Sequence, residues 1–238
     1  GFAAEEVPEW ENLVRRLVIP YDKKRDLYLE DEMYLHRVPF DMRRGKPDGR
    51  RVIDSTLPYE AMAYYQITKQ SDIVTLMNLL PWKFTPGQMR AAYGFYEPKT
   101  AHDSSLSYAQ HAVMAARLGM AGEAYRYFRD CAYLDLNDIQ LNTVSGLHFA
   151  NLGGTWQGVI LGFAGLWQSG GVLHLNPHLP RRWKALRFRL AFRGAVLRFE
   201  LRGRRIAVTM EKAGAAPVRL EIGGKAVCMK RLDQNETF

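Results

Sequence analysis

The densest group of polar side chains in this sequence spans residues 99–107 and directly precedes an apolar stretch with helical spacing. It contains His102, Asp103, Ser104 and Ser105. Hydroxyl groups beside the free backbone N–H groups of a helix N-terminus can bind an anion. The same residue types are also typical of ordinary capping, with Asp103 or Ser104 as the N-cap. Residue types alone favour capping.

A second group of polar side chains lies in residues 145–156. Gly153 and Gly154 fall inside a helical pattern, where each glycine costs about 1 kcal/mol relative to alanine. They therefore predict a close approach by another backbone or by a ligand. His148 follows Ser145 by three residues, so the two could share a ligand across one helical turn. Taken alone, a single histidine on a helix is more often packed in a core.

Metal and thiol chemistry have little support in the sequence. It has no HExxH motif, and its six histidines show no ligand spacing, so we predict no metal site. Cys131 and Cys228 cannot form a disulfide framework, which favours a reducing, cytoplasmic location. The many carboxylates of residues 1–60 fit a solvated surface and contain no evident acid–base pair.

Helical periodicity dominates the chain from about residue 4 to residue 168, and several elements could position these groups. Apolar residues three or four apart predict helices over residues 5–18, 57–80, 104–118, 121–134 and 148–166. Thr85 and Pro86 predict one more helix start, because a hydroxyl N-cap precedes proline in the first turn. Residues 20–56 show no sustained period and predict a long loop, which in a compact domain is usually functional.

The hydrophobic period changes to two after Gly170 and Gly171. Alternation predicts strands over residues 186–192, 196–202, 205–211, 218–222 and 225–229, as an antiparallel meander with one buried face. The chain is therefore predicted to be α+β in two parts, with domains over residues 1–168 and 169–238.

The charge is as uneven as the periodicity. The net charge is +8, yet residues 181–238 alone carry 15 lysines and arginines against five acidic residues. Their basic side chains fall on the polar side of the predicted strands, as expected for an accessory surface. A non-catalytic polyanion-binding module is the alternative, but the strands lack the exposed aromatic residues typical of a nucleic-acid-binding sheet. No apolar run reaches the ~20 residues needed to span a membrane.

Several ordered segments of the sequence resemble glycoside hydrolase family 65, which includes maltose, trehalose, kojibiose and nigerose phosphorylases and some hydrolases. The segments are residues 67–72, 96–107, 146–156 and 162–166, and residues 186–194 resemble the family's C-terminal β domain. The resemblance implies an α-helical segment of an (α/α)6 barrel followed by a small antiparallel β-sandwich. The start at Gly1 without methionine suggests a fragment of a longer protein.

The resemblance also implies the site residues and partners. It places the sugar at Lys69 and Gln70, and inorganic phosphate at His102, Ser104, Ser105, Ser145, Gly146 and His148. It implies no resident cofactor, phosphate as co-substrate, and an α-glucoside disaccharide as substrate. The implied partners are the remainder of the parent polypeptide and a second copy in a homodimer.

The implied reaction is direct displacement with inversion. A protonated glutamate donates to the glycosidic oxygen while phosphate attacks the anomeric carbon from the opposite face, which yields β-glucose 1-phosphate. In the family that glutamate lies farther upstream of Lys69 than this chain extends, so we expect no catalytic acid here. The alternative is an inverting α-glucoside hydrolase of the trehalase or kojibiose hydrolase type, in which Asp103 would be the base.

Overall fold

Helices precede sheets in the fold of this chain. The computed structural model describes residues 4–42 and 59–238. In this part the helices are α1 (Val7–Arg16), α2 (Asp72–Leu79), α3 (Pro86–Tyr96), α4 (Ser105–Arg117), α5 (Ala121–Ala132) and α6 (Phe149–Gln157), which a π-helical stretch, Gly158–Phe163, extends. Short 3-10 segments are Ala4–Glu6, Tyr34–His36, Tyr59–Tyr64, Pro81–Lys83, Glu97–Lys99 and Thr143–Ser145. None of the described helices is long and apolar enough to cross a membrane.

Four two-residue strands connect the first helices. Strand β1 (Tyr21–Asp22) pairs with β2 (Leu27–Tyr28), and β3 (Val38–Pro39) pairs with β4 (Tyr65–Gln66). Strands β1, β2 and β3 occupy part of the predicted loop of residues 20–56, of which residues 43–56 lie outside the described residues. The segment thus contains paired strands as well as loop.

The predicted helix over residues 57–80 is wrong in its first half. Residues 57 and 58 lie outside the described residues, and only Asp72–Leu79 forms an α-helix there. The reason is a backbone pairing between distant segments: Thr68 N donates to Lys99 O (3.0 Å), and Ala101 N donates to Thr68 O (2.9 Å). These bonds hold Thr68 in a bridge and place Lys69 and Gln70 in the turn before α2.

Local signals set the other helix starts as predicted. Thr85 accepts a hydrogen bond from Gln88 N (3.1 Å), and the Gln88 side chain accepts one from Thr85 N (3.0 Å), a complete capping box for α3. Ser104 is the N-cap of α4, with Leu106 N donating to its hydroxyl. The helices predicted over residues 5–18, 104–118 and 121–134 are also confirmed.

Helices α2, α4 and α6 run parallel. Thr68 pairs with Thr100 just before α2 and α4, and Asn78 Nδ2 donates to Gln110 O (2.9 Å) near the middle of both, so the offset of 32 residues is constant. Contacts between α4 and α6 keep a similarly steady offset from Ala109–Gly154 to Ala116–Gly162. The N-terminal ends of the three helices therefore lie at one end of the helical part.

Glycines allow α6 and its π-helical extension to approach α4 closely. A Cβ atom on Gly154 would lie 2.8 Å from the Ala109 Cβ, and one on Gly162 would lie 3.2 Å from the Val113 Cα. Gly153 has nothing within 4 Å of such an atom. The close approach predicted from the two glycines is thus confirmed for Gly154, and the neighbour is a helix.

Helix α5 runs antiparallel to α6 and closes the group. Near the C-terminal end of α5, the Cys131 Sγ donates to Asn151 Oδ1 (2.9 Å), and Asn151 Nδ2 donates back to Cys131 O (2.8 Å). Phe128, one turn earlier on α5, faces Gly158 at the far end of α6. Burial raises the pKa of the Cys131 thiol to about 11, as expected for a packed, unreactive cysteine.

The C-terminal part contains two four-stranded sheets. One has the order β11–β10–β6–β5 and the other the order β12–β9–β8–β7. In chain order the strands are β5 (Leu166–Ser169), β6 (Val172–Leu175), β7 (Leu186–Phe192), β8 (Ala195–Arg202), β9 (Arg205–Lys212), β10 (Val218–Ile222), β11 (Lys225–Met229) and β12 (Asn235–Thr237). Both sheets contribute to one hydrophobic cluster, which includes Leu173, Phe199, Val208 and Leu220.

The five predicted strands are confirmed as β7 to β11, and β5, β6 and β12 were missed because they are only three or four residues long. The predicted single meander is wrong, because β7 to β9 lie in one sheet and β10 and β11 in the other. Strands β10 and β6 pair in parallel, so the prediction of an entirely antiparallel part is also wrong for this pair. The chain forms β7, β8 and β9 of the other sheet between β6 and β10, and β12 joins that sheet last. The α+β order is confirmed; the barrel segment, the sandwich and the boundary after residue 168 stay predictions.

Candidate functional site

A cavity of about 510 Å³ opens between the N-terminal halves of the three parallel helices. Its lining includes Gln70 and Asp72 at α2, Leu106 at α4, and Gly154 and Trp156 on α6. Of the residues predicted to bind sugar, Gln70 is exposed and lines this cavity, and Lys69 is half-buried in the preceding turn. The predicted phosphate-binding residues lie at the N-terminal ends of α4 and α6, outside the lining itself.

Ser104 and Ser105 occupy the first positions of α4. Ser104 is the N-cap, Ser105 is the first helical residue, and both are half-buried together with Asp103. An N-cap hydroxyl and the free N–H groups of a first turn are donors that suit an oxyanion. Plain capping, which residue types favoured, is therefore present, and it leaves the anion-binding character of this turn intact.

His102 differs from its neighbours because its side chain is buried, with 2% exposure. Its Nδ1 is 2.8 Å from Ser107 Oγ and its Nε2 is 3.2 Å from the Tyr127 hydroxyl, which donates to Glu97 Oε1 (2.6 Å). Ser107 Oγ donates to Ser104 O (2.9 Å). Both ring nitrogens are thus engaged inside the protein. This geometry favours a supporting role for His102 beneath the serines, whereas its predicted contact with phosphate stays a prediction.

The backbone of this loop is held in an uncommon conformation. His102 has a φ of +54°, in the left-handed region that non-glycine residues rarely adopt. Gln140 Nε2 donates to His102 O (3.2 Å), which ties the loop before α4 to the segment that leads to α6. A direct hydrogen bond therefore links the loop before α4 to the chain a few residues before Ser145.

The segment before α6 presents Ser145 and Gly146 as exposed residues and His148 as a half-buried N-cap. Gly146 has a φ of +124°, a conformation that side chains strongly disfavour. The Asp135 carboxylate accepts from His148 Nδ1 (2.5 Å) and from His148 N (3.0 Å). Sequence reasoning missed Asp135, because nothing in its local context shows that it contacts a residue 13 positions later.

Glu30 is a second residue that sequence reasoning placed on the surface. Its Oε1 is buried without a hydrogen-bond partner among the described residues, close to Thr68, Asp72 and Arg37. Burial raises the pKa of Glu30 to about 8, and the negative charges of the nearby Asp72 and Asp31 carboxylates contribute to this increase. Glu30 is therefore a neutral carboxylic acid at pH 7, next to the turn that carries Lys69 and Gln70.

No group of three or more potential metal ligands occurs among residues 4–42 and 59–238.

Comparison with known protein families decides the class of this chain. The model of the glycosyl hydrolase family 65 central catalytic domain matches residues 1–157, and that of the family's C-terminal domain matches residues 167–228. The chain belongs to glycosyl hydrolase family 65. The resemblance inferred from the motifs is thus confirmed.

Characterised relatives of this family 65 chain include phosphorylases of two disaccharides. It is 33% identical over 226 residues to a kojibiose phosphorylase of Caldanaerobacter subterraneus, covering 94% of this chain and 29% of the relative. It is 34% identical over 199 residues to an α,α-trehalose phosphorylase of Thermoanaerobacter brockii, covering 83% of this chain and 25% of the relative. The chain therefore spans less than a third of the length of these relatives.

A solved structure gives the same picture for the fold of this family 65 chain. A protein provisionally described as a kojibiose phosphorylase from the human microbiome superposes with a TM-score of 0.82 at 25% sequence identity. The match covers 100% of this chain and 31% of the other. The whole chain thus has the fold of one part of a larger phosphorylase-like protein.

Proposed function

We propose that this chain is part of a disaccharide phosphorylase that transfers a glucosyl group from an α-glucoside to inorganic phosphate with inversion. One observation carries the proposal. Three parallel helices begin on the same side of the helical part. On this side Lys69 and Gln70 precede α2, Ser104 and Ser105 start α4, and the segment 145–148 precedes α6. The relatives named above are phosphorylases, which supports the same reaction class.

The electrostatics of this end suit a phosphate dianion. Each helix N-terminus carries roughly half a positive charge, which favours a bound anion. The hydroxyls of Ser104, Ser105 and Ser145 add donors, and the imidazole of His148 can add one more. Charge-assisted hydrogen bonds of this kind are about twice as strong as neutral ones. We assign phosphate binding to these residues and to the backbone of Gly146, and a supporting role to His102.

The saccharide half of the site lies beside α2. Gln70 lines the cavity and can exchange hydrogen bonds with sugar hydroxyls, and Lys69 supplies a cation next to it. Trp156 lines the same cavity and offers an apolar face against which a sugar ring can pack. We propose that glucose binds between these side chains, with its anomeric carbon directed towards the phosphate.

The proposed reaction needs one acid and one nucleophile. Phosphate attacks the anomeric carbon as the glycosidic bond breaks, and a carboxylic acid protonates the departing oxygen, so the product is β-glucose 1-phosphate. The phosphate takes the position of the base and water of an inverting hydrolase, so a single carboxylic acid is sufficient. We place that acid in the part of the parent protein outside this chain. Glu30 has a buried Oε1 and interacts with Thr68, and we assign it no catalytic role.

The test is phosphate dependence in the full-length parent protein. Kojibiose and trehalose are the first substrates to try, and we expect glucose 1-phosphate to form only when phosphate is present. Ser105→Ala should raise the KM for phosphate about tenfold while changing the KM for the disaccharide much less, because it removes one donor to a charged group. Ser169→Ala makes the same change in strand β5, outside the proposed site, and is the control.

Release of free glucose without phosphate would instead support the hydrolase alternative. In that case Asp103→Asn should abolish activity, since Asp103 would be the base that activates water. A Ser105→Ala variant with an unchanged KM for phosphate would contradict the assigned phosphate site.

A further inference from the structure

Asp135 contacts His148 at two points. Its Oδ1 accepts from the ring Nδ1 (2.5 Å) and its Oδ2 accepts from the backbone N–H (3.0 Å). The two side chains retain only 10% and 21% of their exposure, so water competes weakly for these bonds. One carboxylate thus fixes both the main chain and the ring orientation of the residue that begins α6.

The two contacts also determine which ring nitrogen is available to a ligand. With Nδ1 donating to Asp135, the hydrogen bonds within residues 4–42 and 59–238 leave Nε2 unengaged. Because Asp135 fixes Nδ1 as the donor, the opposite ring nitrogen, Nε2, is the one that can contact a ligand. The bonds from His148 hold the pKa of the Asp135 carboxyl below its usual range, so Asp135 stays charged at neutral pH.

The acidic neighbours of His148 come from the segment that follows α5. Besides Asp135, the charge of Asp138 interacts with His148. Asp138 is occupied differently, because it accepts from Asn142 N (2.9 Å), from Thr143 N (3.0 Å) and from the Thr143 hydroxyl. It thus shapes the segment before Ser145, whereas Asp135 bonds to the imidazole.

We propose that Asp135 is a positioning residue for phosphate binding: it holds the His148 ring so that Nε2 faces the anion at the start of α6. The proposal rests on the phosphate site proposed above. When phosphate binds, no bond is made or broken in this pair, and the proton on Nδ1 stays between the imidazole and the carboxylate. The contribution of Asp135 passes entirely through His148.

Steady-state kinetics and calorimetric titration with inorganic phosphate, both on the full-length parent protein, test the proposal. We expect Asp135→Ala to raise the KM and the Kd for phosphate about tenfold or more, with a much smaller change in the KM for the disaccharide. The double variant with His148→Ala should bind phosphate no more weakly than His148→Ala alone, because Asp135 acts only through that ring.

The conservative variant separates positioning from folding. Asp135→Asn keeps one carbonyl oxygen, which can accept from the His148 backbone N–H, but its amide nitrogen cannot accept from the ring Nδ1. Phosphate binding should therefore weaken in Asp135→Asn, while kcat and the melting temperature stay close to those of the wild type. Asp130→Asn makes the same change on α5, where Asp130 pairs with Arg129 at the surface, and should leave the affinity for phosphate unchanged.

The outcomes distinguish this inference from the proposed function. If His148→Ala leaves the Kd for phosphate unchanged, the phosphate site itself is refuted and the inference falls with it. If His148→Ala weakens phosphate binding but Asp135→Ala does not, or if the two effects add, only the positioning role is overturned. Equal losses in kcat and in both KM values for folded Asp135→Asn would also overturn it.

Discussion

At the scale of single residues, neighbouring polar side chains that appear equivalent in the sequence differ in burial and in their hydrogen-bond partners. Ser104 and Ser105 sit at the accessible start of α4, whereas His102, adjacent in sequence, is buried and bonded on both ring nitrogens. The difference arises from Tyr127 and Ser107, which pack around the ring. Residue type therefore predicted a polar cluster correctly but did not separate the groups that face a ligand from those that support them.

Glu30 should make the stability of the chain depend on pH. Its folded-state pKa of about 8 lies above the ordinary value of 4.5. The stabilising effect is fully present below about pH 4.5 and is lost as the pH rises through about 8, because the unfolded chain releases this proton first. Glu30→Gln should remove that loss, so the gain in unfolding free energy over wild type should grow by up to about 1.4 kcal/mol per pH unit between these values.

Thermal and urea unfolding of both proteins between pH 5 and pH 8 measure this effect. Glu32→Gln removes the same charge from an exposed side chain two residues away and serves as the control. A stability difference between Glu30→Gln and wild type that stays constant over this range would show that Glu30 ionises normally in the folded state.

At the scale of elements, the candidate site depends on how closely parallel helices pack. Gly154 faces Ala109 on α4, while Gly153 has open space beside it. Gly154→Ala should destabilise the chain by about 1–3 kcal/mol through overpacking, partly offset by about 1 kcal/mol of better helix propensity. Gly153→Ala should stabilise it by up to about 1 kcal/mol, because only the propensity changes.

Chemical denaturation of the two variants measures this difference. Both variants carry the same glycine-to-alanine substitution on α6, and they differ only in whether the new methyl group faces α4. The methyl group added by Gly154→Ala should push α6 away from α4 and so move His148 relative to Ser104. Gly154→Ala should therefore also weaken phosphate binding in the full-length protein. Equal stability of the two variants would mean that α4 and α6 do not approach as closely as described.

At the scale of the whole molecule, one apolar face of α1 is largely exposed in this chain. Its apolar side chains Trp10, Leu13, Val14 and Leu17 are 40–70% exposed, although they form one face of the helix. The relatives are more than three times as long as this chain. We expect parts of the parent protein outside these residues to cover this face.

A double substitution, Leu13→Glu with Leu17→Glu, tests that expectation. It should change the stability of this chain by no more than about 0.5 kcal/mol, as for other surface positions. In the full-length protein it should lower the melting temperature by several degrees, because two charges would then be buried. Asn12→Glu lies on the opposite face of α1 and should be neutral in both. A full-length protein that tolerates the double substitution would show that the face stays exposed.

The basic C-terminal part is also explained at this scale. Arginines on the outer face of the sheet β12–β9–β8–β7 form ion pairs with two glutamates: Arg187 and Arg202 with Glu200, and Arg189 and Arg198 with Glu211. Hydrogen bonds from Arg187 and Arg202 lower the pKa of Glu200 to about 2. Four of the arginines on this surface are thus paired with glutamates of the same sheet. This pairing supports an accessory role better than the polyanion-binding alternative.

Patterns repeated over many residues made most of the fold predictable. The change of hydrophobic period near residue 170, the capping sequence at Thr85 and the order of the family motifs identified helices, strands and family, since each depends on neighbours in the chain. Local patterns failed at Ile67–Thr68, where an apolar run resembled a helix and a distant segment, Lys99–Ala101, bound its backbone instead.

The sequence by itself determined most of the elements, the family and the polar clusters, because periodicity, caps and motifs are local properties. Only the tertiary structure decided that three helix N-termini lie together, that His102 is buried, and that Asp135 holds His148. These facts depend mainly on contacts between residues 13 to 49 positions apart, which no local pattern encodes. The +8 charge likewise acquired its meaning from cross-strand ion pairs, which form only when the sheet is assembled.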